Sequence, residues 1–442
     1  MKSRKFLCLP FTFYILCFTF YISSCSVYKK IAKSAKEDVL SSQALQTAHV
    51  GISIYEPATS KYWFSYQGDK YFVPASNTKI PTCYAAMKYL GDSLVGIRYA
   101  VKKDSLVDII GTGDPTLLHP DFKSHPIFDF LKTFKHITLK PELFTDYLGS
   151  GWSWNDYQEP YMAQRSDLPV YGNLVTFNWL NNNHERLPPI DVSIKVLGAK
   201  IDPKDLYDFT DGFVVSKLFD QNDFFIYPGK EKKVEIPFTP NVSTIARLLS
   251  DTLKVIVDYT IEEKITTPKL LHSQPTDSLL KPMMHRSDNF FAEQSLLMVS
   301  SERLGLMNDE KIIDTLLKTD LKDLPQKPRW VDGSGLSRYN LFTPQDFVAI
   351  LTKMKNEFGM DRIKTILATG GEGTISSYYK ADSGYIYAKT GTLSGVVALS
   401  GFLYTKKNKL LVFSVLVNNH RSSATDVRRA VEKFIQGIRN KY

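Results

Sequence analysis

The 442-residue chain has only four cysteines, and three of them fall within its first 25 residues. Cys8, Cys17 and Cys25 sit in or at the end of a leading segment, which leaves Cys83 alone in the remainder. Internal disulfides are therefore excluded there, and stability must come from buried cores, as this length allows. There is also no internal repeat and no low-complexity tract, which argues against a solenoid or a compositionally biased chain. No compact basic motif is present, so nucleic acid is not an expected partner. No metal-ligand or cofactor motif is read, so neither a metal nor a cofactor is expected. With 43% hydrophobic and 23% charged residues the chain is ordinary for a globular protein and unlike a disordered one.

What is present begins with a targeting segment over residues 1–24. Lys2, Arg4 and Lys5 precede an apolar run from Phe6 to Ile22, too short for a comfortable membrane span and laid out as in a signal peptide. Ile22-Ser23-Ser24-Cys25 resembles a bacterial lipobox, with Ile22 where Leu is commoner, and predicts lipidation of Cys25 and a membrane anchor. Ordinary cleavage nearby, or an uncleaved anchor, are the alternatives. The formal net charge is +9, and removing Lys2, Arg4 and Lys5 lowers it to +6. Lys29, Lys30, Lys33 and Lys36 follow Cys25, where they would face lipid head groups. The mild basic excess also suits an anionic cell-wall polymer. Residues 25–45 are polar and basic and read as a tether.

Val50 to Tyr55 and Lys61 to Tyr66 read as a β-hairpin around Pro57-Ala58-Thr59. Ser76 to Leu90 reads as a helix stopped by Gly91, with Pro81 expected to kink it or confine its regular part. From 95 to 265 short β-prone runs such as Asp191 to Leu197 and Phe213 to Leu218 alternate with turns, which predicts one or more inserted β-rich subdomains. Helical patterns return at Asp288 to Leu304 and Pro344 to Phe358. The chain then reads as strands Tyr385 to Lys389, Val396 to Tyr404 and Leu410 to Val417, and an amphipathic helix from Thr425 to Ile438. An α+β fold follows: an antiparallel sheet flanked by helices over 46–94 and 266–442, completed by the N-terminal hairpin and interrupted by the insertion.

Three short motifs carry chemistry: Ser76-Asn77-Thr78-Lys79, Ser287-Asp288-Asn289 and Lys389-Thr390-Gly391. Positions i and i+3 share a helix face, so Lys79 lies beside the Ser76 hydroxyl. A free serine is a poor nucleophile and needs a base within hydrogen-bond reach. Lysine serves only if burial or a cationic neighbour such as Lys389 lowers its pKa. Ser287 would carry a proton to a leaving amine, and Asn289 would hold Lys79 and the substrate backbone. Lys389, Thr390 and Thr392 would bind a terminal carboxylate, and Gly391 would clear space for substrate backbone. The N–H groups of Ser76 and Thr392 would form an oxyanion hole. Each motif also has a plain structural reading as a helix cap or hairpin end. S-x-x-K starts at Ser26, Ser76, Ser278 and Ser377, and S-x-N recurs at Ser153-Trp154-Asn155. The order of the set is what makes it specific, and it is the signature of serine β-lactamases and penicillin-binding proteins.

Further segments narrow the resemblance. Gly111-Thr112-Gly113-Asp114-Pro115, Gly151-Trp152-Ser153-Trp154-Asn155-Asp156, Asp332-Gly333-Ser334-Gly335-Leu336-Ser337-Arg338 and Gly371-Glu372-Gly373-Thr374 all resemble the class C low-molecular-mass penicillin-binding proteins. The resemblance to this D-Ala-D-Ala carboxypeptidase/endopeptidase family runs from about residue 50 to 420. The 211 positions between Ser76 and Ser287 match the family's long insertion and argue against compact class A β-lactamases. The resemblance implies a transpeptidase-like domain, peptidoglycan stem peptides as substrate and β-lactams as inhibitors. It also implies that Asp156 and Arg338 bind the ammonium and carboxylate of a diaminopimelate end, with Tyr161 as an aromatic wall. A β-lactamase or esterase on the same scaffold, distinguished by fast deacylation, and a cell-wall-binding lipoprotein without turnover stay open at this point.

Overall fold

The computed structural model describes residues 27–103, 105–141, 144–180, 183–188, 212–261 and 265–442. The leading segment with Cys25, and the run from Asp191 to Leu197, lie outside these residues.

One antiparallel sheet of six strands organises the main body. Its strands are β1 (His49–Glu56), β2 (Lys61–Tyr66), β3 (Ala368–Thr369), β4 (Ile386–Leu393), β5 (Val396–Tyr404) and β6 (Leu410–Asn418), in the order β3-β4-β5-β6-β1-β2. The expected hairpin thus does complete the sheet, through β1 against β6. β6 is apolar almost throughout rather than alternating, because both of its faces are covered. Val412 and Leu416 pack with α1 (Lys79–Tyr89), α2 (Asn289–Leu304) and α3 (Pro344–Ile366). Leu411, Phe413, Val415 and Val417 pack on the other face against Val427, Val431, Phe434, Ile435 and Ile438 of α4 (Ala424–Lys441).

The second face holds a departure from the sequence reading. The segment expected to be a tether is helical over 27–35 and continues as a wider turn at Lys36–Leu40. Ile31, Ala35, Val39 and Leu45 are buried in the same core as α4. Burying each large aliphatic side chain is worth roughly 1.5–3 kcal/mol, enough to dock the segment. Its apolar positions are spaced by four and interleaved with lysines, so a mean polarity reading hides the stripe. Lys433 on α4 pairs with Asp38 at 3.0 Å and adds a polar contact to this packing.

Pro81 is accommodated without a kink. Ala75–Thr78 forms a tight 3-10 turn and the α-helix proper starts at Lys79. Pro81 is then the third helical residue, where an N–H would have no partner within the helix.

Between β2 and α2 the chain builds three further sheets. The five-stranded one orders Ile256–Tyr259, His136–Leu139, Leu106–Gly111, Ser93–Lys103 and Lys269–Pro275. Its first and last strands in sequence, Ser93–Lys103 and Lys269–Pro275, pair directly, so the chain leaves and re-enters the main body at one place. The expected run at Phe213 is the strand Phe213–Lys217. This region has its own core, including Ile109, Phe177, Phe224, Phe238 and Leu248. Among the described residues no helix is long and apolar enough to cross a membrane.

Candidate active site

Ser76 lies in the 3-10 turn at the mouth of α1, half-buried, and the turn is clamped from three sides. Asn77 Nδ2 donates to Ser400 Oγ at 2.7 Å, and Ser400 Oγ donates to Ser414 Oγ at 2.8 Å, tying the turn to the sheet centre. Thr78 Oγ1 donates to the Ala75 carbonyl at 2.9 Å, and Ala75 itself has φ +47°. Gly335 closes the third side. A Cβ there would lie 1.9 Å from Ala75 O, and its φ of +85° is one that other residues rarely adopt. Gly335→Ala is therefore expected to lower stability by about 1–3 kcal/mol from backbone strain alone. It should also displace the Ser76 turn, measurable as a fall in both Tm and the rate of acylation by penicillin.

Gly391 also has a packing task. A Cβ there would meet Pro74 O at 2.6 Å and Asn77 N at 3.1 Å. The space it vacates is filled by the nucleophile turn and lets β4 lie directly against it.

Lys79 is fully buried, and its ammonium position has three oxygen neighbours: Ser76 Oγ at 3.0 Å, Asn289 Oδ1 at 2.6 Å and the Ser334 carbonyl at 2.7 Å. A neutral amine has two N–H groups and one lone pair. The carbonyl oxygens of Asn289 and Ser334 can only accept, so they take both N–H groups. The lone pair is left facing the Ser76 hydroxyl. Burial lowers the Lys79 pKa to about 8 against the opposing pull of Asp332, Glu293 and Asp288. Burial and repulsion from the Lys79 charge also hold Lys389 well below the usual lysine range.

Lys389 Nζ donates to Ser287 Oγ at 2.8 Å and to the Thr390 carbonyl at 2.7 Å. Ser287 has φ +66° and stands just ahead of Asp288, which caps α2 by accepting from Phe291 N at 2.9 Å. The Thr390 hydroxyl donates to Thr374 Oγ1 at 2.7 Å, which gives the Gly371-Glu372-Gly373-Thr374 segment a place beside β4.

Asp332 explains two other segments at once. It is fully buried and accepts from Gly335 N (2.8 Å), Ser337 N (2.7 Å), Asn340 Nδ2 (2.7 Å) and Trp152 Nε1 (3.0 Å). Glu293 on α2 accepts from Ser334 N at 2.7 Å and pairs with Arg165 at 3.4 Å, and Arg165 reaches Asp309 at 2.5 Å. Burial raises the pKa of both Asp332 and Glu293. Motif reading assigned none of these three supports a role. Asp332 and Glu293 were visible inside matched segments, whereas Arg165 has no local signal.

A cleft of ≈ 790 Å³ runs past Ser76 and is lined also by Asp156, Tyr161, Asn289, Arg338 and Thr392. Asp156 and Arg338 thus share the cleft with Ser76, and among the described residues neither forms an ion pair. The Arg338 guanidinium donates to the Ser394 carbonyl at 2.8 Å. Burial, and then the nearby Asp156 carboxylate, push the Tyr161 hydroxyl up to about 12. No cluster of His, Cys, Asp and Glu among the described residues has the arrangement to hold a metal ion. Cys83 is buried and its thiol is pushed up to about 12, which makes it inert.

A sheet-and-helix body with a half-buried serine against a desolvated lysine defines a serine peptidase of the penicillin-binding type. The chain belongs to the D-Ala-D-Ala carboxypeptidase 3 (S13) family, whose model matches residues 32–439. It is 25% identical over 455 residues to a D-alanyl-D-alanine carboxypeptidase of Actinomadura sp. (strain R39), covering 87% of this chain and 80% of that one. It is 29% identical over 180 residues to the D-alanyl-D-alanine carboxypeptidase DacB of Haemophilus influenzae, a match spanning 38% of this chain and 37% of that protein. The fold is that of the crystal structure of penicillin binding protein 4 from Haemophilus influenzae, with TM-score 0.70 at 20% identity over 93% of this chain and 98% of that one. A family that acts on peptidoglycan works outside the cytoplasm.

Proposed function

We propose that the protein hydrolyses the terminal D-Ala from peptidoglycan stem peptides, and also D-Ala-diaminopimelate cross-links, through an ester on Ser76. The observation that carries this reading is the buried Lys79 Nζ 3.0 Å from the Ser76 hydroxyl, in a cleft that continues to Asp156 and Arg338. Ser76 Oγ attacks the carbonyl of the penultimate D-Ala as its proton passes to Lys79 Nζ. The N–H groups of Ser76 and Thr392 stabilise the oxyanion. Ser287, held by Lys389, relays the proton taken up by Lys79 to the departing amine, so that Lys79 is neutral and Ser287 protonated again when the amine leaves. Water then hydrolyses the ester, restoring Ser76 and releasing the shortened peptide as a carboxylate. β-Lactams acylate the same serine, and their ring-opened amine cannot diffuse away. Asp156 takes the ammonium and Arg338 the carboxylate of a diaminopimelate side chain. Export through the leading segment and lipid at Cys25 are part of the same proposal.

Digestion of purified cross-linked and pentapeptide muropeptides, read by mass, tests it. Loss of one alanine from the pentapeptide and splitting of the cross-linked dimer are the expected products. Intact muropeptides with folded, penicillin-labelled protein would overturn the substrate assignment. Rapid turnover of bound penicillin would favour a β-lactamase instead.

A further inference from the structure

We propose that Arg428 of α4 determines specificity for a substrate carboxylate, forming with Thr392 the part of the site that reads the free C-terminus of the leaving residue. The inference rests on the DD-peptidase reading and adds to it a residue that lies outside every motif.

Four observations place Arg428 there. Its Nη2 donates to Thr392 Oγ1 at 2.6 Å, and Thr392 lines the cleft with Ser76. A hydroxyl oxygen that accepts from a guanidinium must turn its own proton elsewhere, so Thr392 keeps that proton to donate to a ligand. By contrast the Thr390 hydroxyl already donates to Thr374. Second, Arg428 Nε is buried and has no hydrogen-bond partner, and among the described residues Arg428 forms no ion pair. Buried polar groups are normally satisfied, and the rest of the Arg428 side chain is only half-buried, so its guanidinium is open to a ligand.

Third, the acidic side chains nearest in sequence on α4 are committed elsewhere. Asp426 accepts from Ser423 Oγ at 2.7 Å, and Glu432 accepts from Arg429 at 2.5 Å and from Tyr379 N at 2.6 Å. Neither is therefore a partner of Arg428, which leaves its guanidinium available to the carboxylate of a ligand. Fourth, Lys389 is a poor permanent cation, being wholly buried and already bonded to Ser287 and the Thr390 carbonyl. A guanidinium stays charged at all relevant pH and presents a planar fork suited to a carboxylate.

The test compares a peptide ending in D-Ala-D-Ala with the same peptide ending in D-alaninamide, for wild type, Arg428→Gln and Arg428→Lys. Arg428→Gln should cut the preference for acid over amide, as a ratio of kcat/KM, by roughly 10–100-fold, mostly through KM, with Tm unchanged. Arg428→Lys should restore part of that preference. Equal losses on acid and amide would mean that Arg428 merely shapes the strand, and an unchanged ratio would mean that it reads nothing; either overturns the inference. If wild type leaves both peptides uncut yet is labelled by penicillin, the substrate reading fails on its own. Arg428 is then judged by acylation with penicillin against penicillin methyl ester, where the same fall in preference is expected.

Discussion

Ser76→Ala is expected to remove all covalent labelling by a fluorescent penicillin and all release of D-Ala, while Tm stays within a few degrees of wild type. The hydroxyl is half-buried and, among the described residues, its side-chain hydrogen-bond partner is Lys79, so its loss costs little fold stability. The turn around it is held by Asn77, Thr78 and the bare face of Gly335, none of which the substitution touches. Persistent labelling on a gel, at any rate above background, would show that another nucleophile acts.

Lys79→Met carries the second large effect. Methionine fills much of the buried volume but leaves Ser76 without a proton acceptor. Acylation should slow by about 10²–10⁴-fold, the usual range for loss of a general base. The pH dependence supplies a separate signature. With a pKa lowered to about 8, Lys79 is neutral in about one molecule in ten at pH 7 and in half at pH 8. Wild-type acylation should rise about tenfold per unit below pH 8 and level off above it, and this limb should vanish in Lys79→Met. The sign for stability agrees. The folded pKa lies below the ordinary 10.5, so the unfolded chain binds more protons between the two values. The group's cost to folding is therefore complete below pH 8 and fades as pH rises towards 10.5. Stopped-flow acylation across pH 6 to 10 reads the profile, and a flat wild-type profile would rule out Lys79 as base.

The elements of the main body were legible because their signals are local. The hairpin, the start of α2 with its Asp288 cap and the three C-terminal strands appear where periodicity and turn residues put them. The three motifs were legible because their spacing within each element is fixed by helix or strand geometry. What escaped was tertiary. Trp152 and Asp332 meet across 180 positions, Arg165 and Glu293 across 128, and Arg428 reaches Thr392 from a different element. The packing task of Gly391 escaped for the same reason, since what presses on it is the protein's own turn from more than 300 positions earlier. The N-terminal helix escaped for another reason. Its apolar residues are few, and they matter only once α4 and the sheet provide a surface to cover.

That helix also sets a leash length. Residue 27, two residues beyond Cys25 in the sequence, already belongs to the helix. Two extended residues span no more than about 7 Å. A lipid on Cys25 would therefore moor the enzyme with its body against the bilayer, since the stalk that composition seemed to offer is spent in packing. The strands of wall it trims would be those nearest its own membrane, and the Ser76 cleft would patrol a thin shell whose depth is the protein's own diameter.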